Sequence, residues 1–167
     1  MCIIVKRALT ALIFLTTLSL GAVAVAQTID EPEVNRFLTE IDNAIRAMDV
    51  ERIEATLAPD AVFSFRLDTP EGEEFIQLNR DEYMGNLDEL LESLVGYEFE
   101  MQVIDIVIEN QGERATALLH VKERLVWSDR MQNSFAVESV VIERRDGQLM
   151  VVQVTGNVKV DEPIQSA

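Results

Sequence analysis

The stretch YEFEMQVIDIVIENQGERATALLHVKERLVW, residues 97–127, decides how the chain folds. Apolar and polar side chains alternate along both of its halves, the period-two pattern of a strand with one covered and one wet face. Asn110-Gln111-Gly112 interrupts the alternation with a tight-turn signal. The reading is two long strands, Tyr97 to Glu109 and Arg114 to Trp127, joined as a hairpin. Toward the C terminus the pattern continues over Phe135 to Arg145 and Leu149 to Val160. Asp146-Gly147 supplies a two-residue turn between them, and Ser128 to Asn133 reads as a longer polar loop. Connections this short make the region an antiparallel meander.

Toward the N terminus the period changes. Asn79 with Glu82 forms a capping box that opens a helix to about Val95, with Tyr83, Leu87, Leu90, Leu91 and Leu94 on one face and Gly96 at its end. Ahead of it, Ala61 to Leu67 and Phe75 to Leu78 are two short strands about the turn Asp68 to Gly72. Asp30-Glu31-Pro32-Glu33 combines a capping aspartate, a first-turn proline and a glutamate three residues on, which is how a helix starts. Val34, Phe37, Leu38, Ile41, Ile45 and Met48 then give it one apolar stripe. Asp49 caps a short second helix, Val50 to Leu57, and Ala58-Pro59-Asp60 is expected to stop it because proline cannot continue the ladder.

Residues 1–26 carry a different signal. Lys6 and Arg7 precede an uncharged apolar run that closes on Ala24-Val25-Ala26, the three-part plan of a secretory leader cleaved before Gln27. An uncleaved anchor is the alternative reading. Cleavage would leave one domain over 27–160 with a frayed tail, 161–167, in the periplasm or the medium, with no stable membrane insertion. It would also remove Cys2, the only cysteine. The rest then lacks disulfides and, with His120 as its single histidine, lacks the ligand set of a zinc site.

The chain has 14 Lys and Arg against 30 Asp and Glu, and two of the cations lie in the leader, so the remainder carries about −18. Such a field opposes nucleic acid and anionic lipid. No glycine-rich phosphate loop or serine–histidine–acid order is present, and no cofactor is expected.

The order of helix, short helix ending in Leu57-Ala58-Pro59-Asp60-Ala61, hairpin, third helix and long antiparallel strands resembles the NTF2-like superfamily. It looks most like the SnoaL-like and ketosteroid-isomerase-like bacterial members. The resemblance implies an α+β cone, with three N-terminal helices packed on a curved, mostly antiparallel sheet, and often a homodimer through the outer sheet face. It also implies a catalytic carboxylate near the end of the first strand. The matching position here is Phe65, and Asp68 lies too far along to replace it.

Candidate site residues follow from strand parity. If Ala115, Ala117, Leu119 and Val121 face inward, Glu123 stands inside an apolar cone with Trp127 near its mouth, and His120 points outward; the opposite parity exchanges them. Glu138 is a second carboxylate for an acid–base pair, or a surface residue. Asp105, alone among Val103, Ile104, Ile106 and Val107, is a further buried-acid candidate, and Tyr83 and Tyr97 are candidate donors to a ligand oxygen. Three functions fit these residues: binding of a small apolar molecule or of a partner by a dimeric module, cofactor-free isomerase or dehydratase chemistry, and acidic shielding of a basic partner.

Overall fold

The computed structural model describes residues 28–165, so the leader expected over 1–26, with Cys2, lies outside the described residues. Helix α1 (Glu31–Arg46) begins as its sequence predicts, the Glu33 amide donating to Asp30 Oδ1 at 2.8 Å. Helix α2 (Val50–Ala55) is capped by Asp49, which accepts from the Arg52 amide at 3.1 Å. It ends two residues earlier than expected because Leu57 is already a strand residue, paired with Val151. Strand β1 (Leu57–Thr69) thus absorbs Pro59. The pairing jumps from Leu57↔Val151 to Val62↔Gln153, and the irregular segment between needs no ladder donor from proline.

Strand β2 (Gly72–Asn79) completes a hairpin with β1, and α3 (Arg80–Ser93) follows with both halves of its capping box formed. The Glu82 amide donates to Asn79 Oδ1 at 3.0 Å and the Asn79 amide to Glu82 Oε2 at 2.9 Å. Two helices, not three, therefore precede the sheet, and the third is inserted after its first hairpin. Gly96 opens β3 (Gly96–Glu109) instead of ending α3. A single 3-10 turn at Asn110–Gly112 leads to β4 (Arg114–Val126). Strand β5 (Arg130–Arg145) starts five residues before Phe135, shortening the expected loop to Trp127–Asp129, where the Trp127 amide donates to the Arg130 carbonyl at 2.8 Å. The turn into β6 (Gln148–Val160) uses positive φ at Asp146 (51°) and Gly147 (85°).

The sheet order is β2-β1-β6-β5-β4-β3. The meander β3 to β6 is antiparallel as read, but β1 joins β6 in parallel, a contact between distant parts of the chain. Past Val160 the chain stays paired, with Ile164–Gln165 (β7) against Arg130–Met131. The curved sheet covers its inner face with the helices: Val34, Phe37 and Leu38 of α1, Ile53 of α2 and Met84 of α3 pack with Phe63, Leu119, Val140 and Val154. Parity on β4 is unambiguous: Ala117 and Leu119 are 0% and 3% exposed, whereas Leu118 between them is 37% exposed.

Candidate functional site

The inner face of the sheet and the three helices enclose a cavity of about 130 Å³. Its wall is largely apolar, with five aromatic rings, and its ionisable side chains are Glu123, Glu138, Tyr83 and Tyr97. Among the described residues no lysine, arginine or histidine lines it. Wider hollows on the surface, of about 530 Å³ beside α1 and α2 and about 410 Å³ on the outer sheet face, open broadly to solvent. The enclosed one is the better site, because water exclusion strengthens every polar contact inside it.

Each polar group reaches the cavity through its strand position. Odd parity on β4 points Glu123 inward after Leu119 and Val121, where its Oε1 accepts from the Tyr97 hydroxyl at 2.6 Å and its Oε2 from Ser134 Oγ at 3.1 Å. Ser134 is 7% exposed and escapes the sequence reading, since it falls between the expected loop, Ser128 to Asn133, and the expected strand from Phe135. Had β5 been begun at Arg130, its shared parity with Glu138 would have revealed it. Glu138 sits in the register row Leu119↔Glu138↔Gly156. A Cβ on Gly156 would lie 3.0 Å from Phe65 Cδ1 and 3.2 Å from Glu138 Cγ, so the missing side chain makes room for both. Phe65, at the position where the isomerases carry their base, is thus a wall of the cavity.

Glu138 has no hydrogen-bond or ion-pair partner among the described residues. Burial, with Glu123 nearby as the smaller cause, pushes its carboxyl up to about 7. Both oxygens of Glu123 accept from Tyr97 and Ser134, and four register steps separate Glu138 from Ser134, the residue opposite Glu123. At about 3.4 Å per residue this places their backbones on the order of 13 Å apart. Tyr97 is held strongly protonated, first by burial and then by the Glu123 charge and hydrogen bond. Tyr83 is raised by burial, then by Glu138 and Glu123. Its ring stacks on Phe63 at 3.9 Å, and its hydroxyl makes no hydrogen bond with the described residues.

The other expected residues lie elsewhere. Trp127 is outside the cavity, its Nε1 donating to Ser93 Oγ at 3.1 Å and its ring 4.6 Å below the Arg130 guanidinium. His120 is on the outer face with Lys122, Phe135 and Val137. Asp105 is exposed. The reason is a bulge: the β3–β4 register shifts between Val103↔Leu119 and Asp105↔Leu118, so the inward phase moves from Val103 to Ile106 and the acid turns out. Among the described residues no three His, Cys, Asp or Glu side chains gather as metal ligands, and no helix is long and apolar enough to cross a membrane.

No family model matches the chain, and no curated protein sequence is detectably similar. Solved structures are similar in shape. A conserved protein from Planctomyces limnophilus superposes with a TM-score of 0.64 at 16% identity, covering 81% of this chain and 98% of that one. The hexachlorocyclohexane dehydrochlorinase LinA-type3 from Novosphingobium barchaimii gives 0.57 at 12%, covering 80% and 88%. A ketosteroid isomerase-like protein from Erwinia carotovora atroseptica gives 0.57 at 12%, covering 75% and 92%. On these likenesses in shape the chain has the NTF2-like fold.

Proposed function

We propose that the cavity holds a small, largely apolar molecule and that Glu138 moves a proton on it, making the chain a cofactor-free isomerase or dehydratase. The observation that carries this reading is the Glu138 carboxyl: enclosed, without a partner among the described residues, and raised to about 7, so that acid and base forms coexist at neutral pH. In the base form Glu138 takes a proton from the carbon next to a carbonyl or a leaving group. The Tyr83 hydroxyl, protonated and otherwise unbonded, donates to the oxygen on which charge develops. Glu138 then returns the proton at a second position, or to a departing hydroxyl. Glu123, held by Tyr97 and Ser134, keeps its place and does not take part in the transfer. The dehydrochlorinase and the ketosteroid isomerase-like protein of the same fold lend support as analogues, although here the carboxyl comes from β5 and Phe65 stands where the isomerase base would be.

The test needs no natural substrate. Small cyclic ketones in D2O lose their α-protons when a positioned base removes them, which proton NMR follows directly. The chain should accelerate exchange, and Glu138→Gln should slow it about 10²- to 10⁴-fold, the usual contribution of a general base. Equal exchange rates for the two proteins would overturn the reading.

A further inference from the structure

We infer that the ligand of this cavity is a small organic cation, an ammonium group on an apolar body of roughly benzene size, and that Glu123 is the residue that receives the ammonium. The inference rests on the reading of the cavity as a ligand site and names the class of molecule it takes.

The charge inventory of the wall is one-sided. Two carboxyl groups face the space, and no cationic side chain lines it to compensate them. On its other side Glu123 borders a solvent-open hollow with Arg46, Lys122 and Arg124, but these cations form their ion pairs with Asp42, Glu100 and Glu98. An anionic ligand would bring a further negative group beside these two carboxyls with no cation in the wall to pair it, at a cost of several kcal/mol. An ammonium ligand reverses it. Glu123 has the capacity, because a carboxylate offers about four acceptor sites and the hydroxyls of Tyr97 and Ser134 occupy one on each oxygen. Those two bonds also aim the group, leaving Glu138 free for the proton.

Two independent features agree. Phe63, Phe65, Tyr83, Tyr97 and Phe99 give the space an aromatic lining, and ring faces attract ammonium groups most strongly where water is excluded. The chain beyond its leader carries about −18, a field that draws cations toward the molecule and repels anions. Size sets the body: an enclosed apolar space of about 150 Å³ accommodates benzene, and this one measures about 130 Å³.

Calorimetry with benzylamine, benzyl alcohol and benzoate tests the inference, since the three differ mainly in charge. Benzylamine should bind at least about tenfold more tightly than benzyl alcohol, a gap of roughly 1.4 kcal/mol, and benzoate should not bind. Glu123→Gln, which keeps acceptor oxygen for Tyr97, should abolish the preference for benzylamine while benzyl alcohol still binds. If benzyl alcohol or benzoate matches benzylamine, or if Glu123→Gln leaves the ratio unchanged, the cation inference falls, while ketone exchange by Glu138 still stands on its own measurement. If no probe binds, the cavity is not a ligand site and both readings fall. Should Glu123→Gln fail to fold, the ranking of the three probes on the natural chain decides alone.

Discussion

The two faces of strands β3 to β5 use the same residue types for opposite purposes. On the outer face, Glu98 lies opposite Arg124 with 3.3 Å between charged atoms, and Glu100 lies opposite Lys122 at 3.5 Å. These acids are exposed and each has its cation. On the inner face, one residue away in sequence, Glu123 accepts from two hydroxyls, and Glu138 on β5 has no side-chain partner among the described residues. A single step along β4 thus separates a solvated ion pair from a carboxyl held by hydroxyls on the inner face, while Glu138 on β5 is the one that burial pushes up. The difference comes from burial and from which cations the opposite strand supplies, not from the glutamates themselves.

The strongest way to break this contrast is to truncate the two adjacent leucines of β4. Leu119→Ala removes a side chain that is 3% exposed and should cost about 2–5 kcal/mol in urea unfolding. Leu118→Ala, at 37% exposed, should cost under about 1 kcal/mol. Equal losses would mean that the outer face is covered too, and the contrast of faces would disappear.

A smaller effect concerns Glu138. Its folded-state value near 7 lies above the ordinary 4.5, so between these values the folded chain binds more protons than the unfolded one. Stability from this group is therefore full below about pH 4.5, declines as pH rises, and is gone above about pH 7. Glu138→Gln removes the dependence and should raise stability at pH 8 by on the order of 2 kcal/mol, with the gap closing by pH 4. Thermal or urea unfolding at the two pH values checks it; a constant difference would show that Glu138 is not held near neutrality.

The smallest effect belongs to the outer acids. Glu100→Gln should change stability by no more than about 0.5 kcal/mol between pH 5 and 8, because an exposed pair gains little over its hydration. A loss comparable to that at Leu119 would mean that the outer face does more than meet solvent.

Much of the fold was legible because its signals are local. The Asp30, Asp49 and Asn79 caps are bonds between residues three apart, and all three form where the sequence puts them. Alternation along β4 correctly placed Glu123 inside and His120 outside once the inner face was taken to be the apolar one. Failures occurred where a distant strand intervened. Pro59 read as a stop, yet pairing with β6 carries β1 past it through an irregularity. Asp105 read as inward, yet the bulge against β4 reverses its phase.

By itself, then, the sequence determined the helix starts, the long strands and their turns and the negative charge, because each depends on neighbours a few residues apart. Only the tertiary structure decided that β1 lies parallel to β6, that Gly156 opens space for Phe65 and Glu138, that both glutamates face the cavity, and that Ser134 and Tyr97 hold Glu123 while no described residue holds Glu138. Those outcomes depend on register between segments up to about ninety residues apart, and register sets which side chains meet in the cavity.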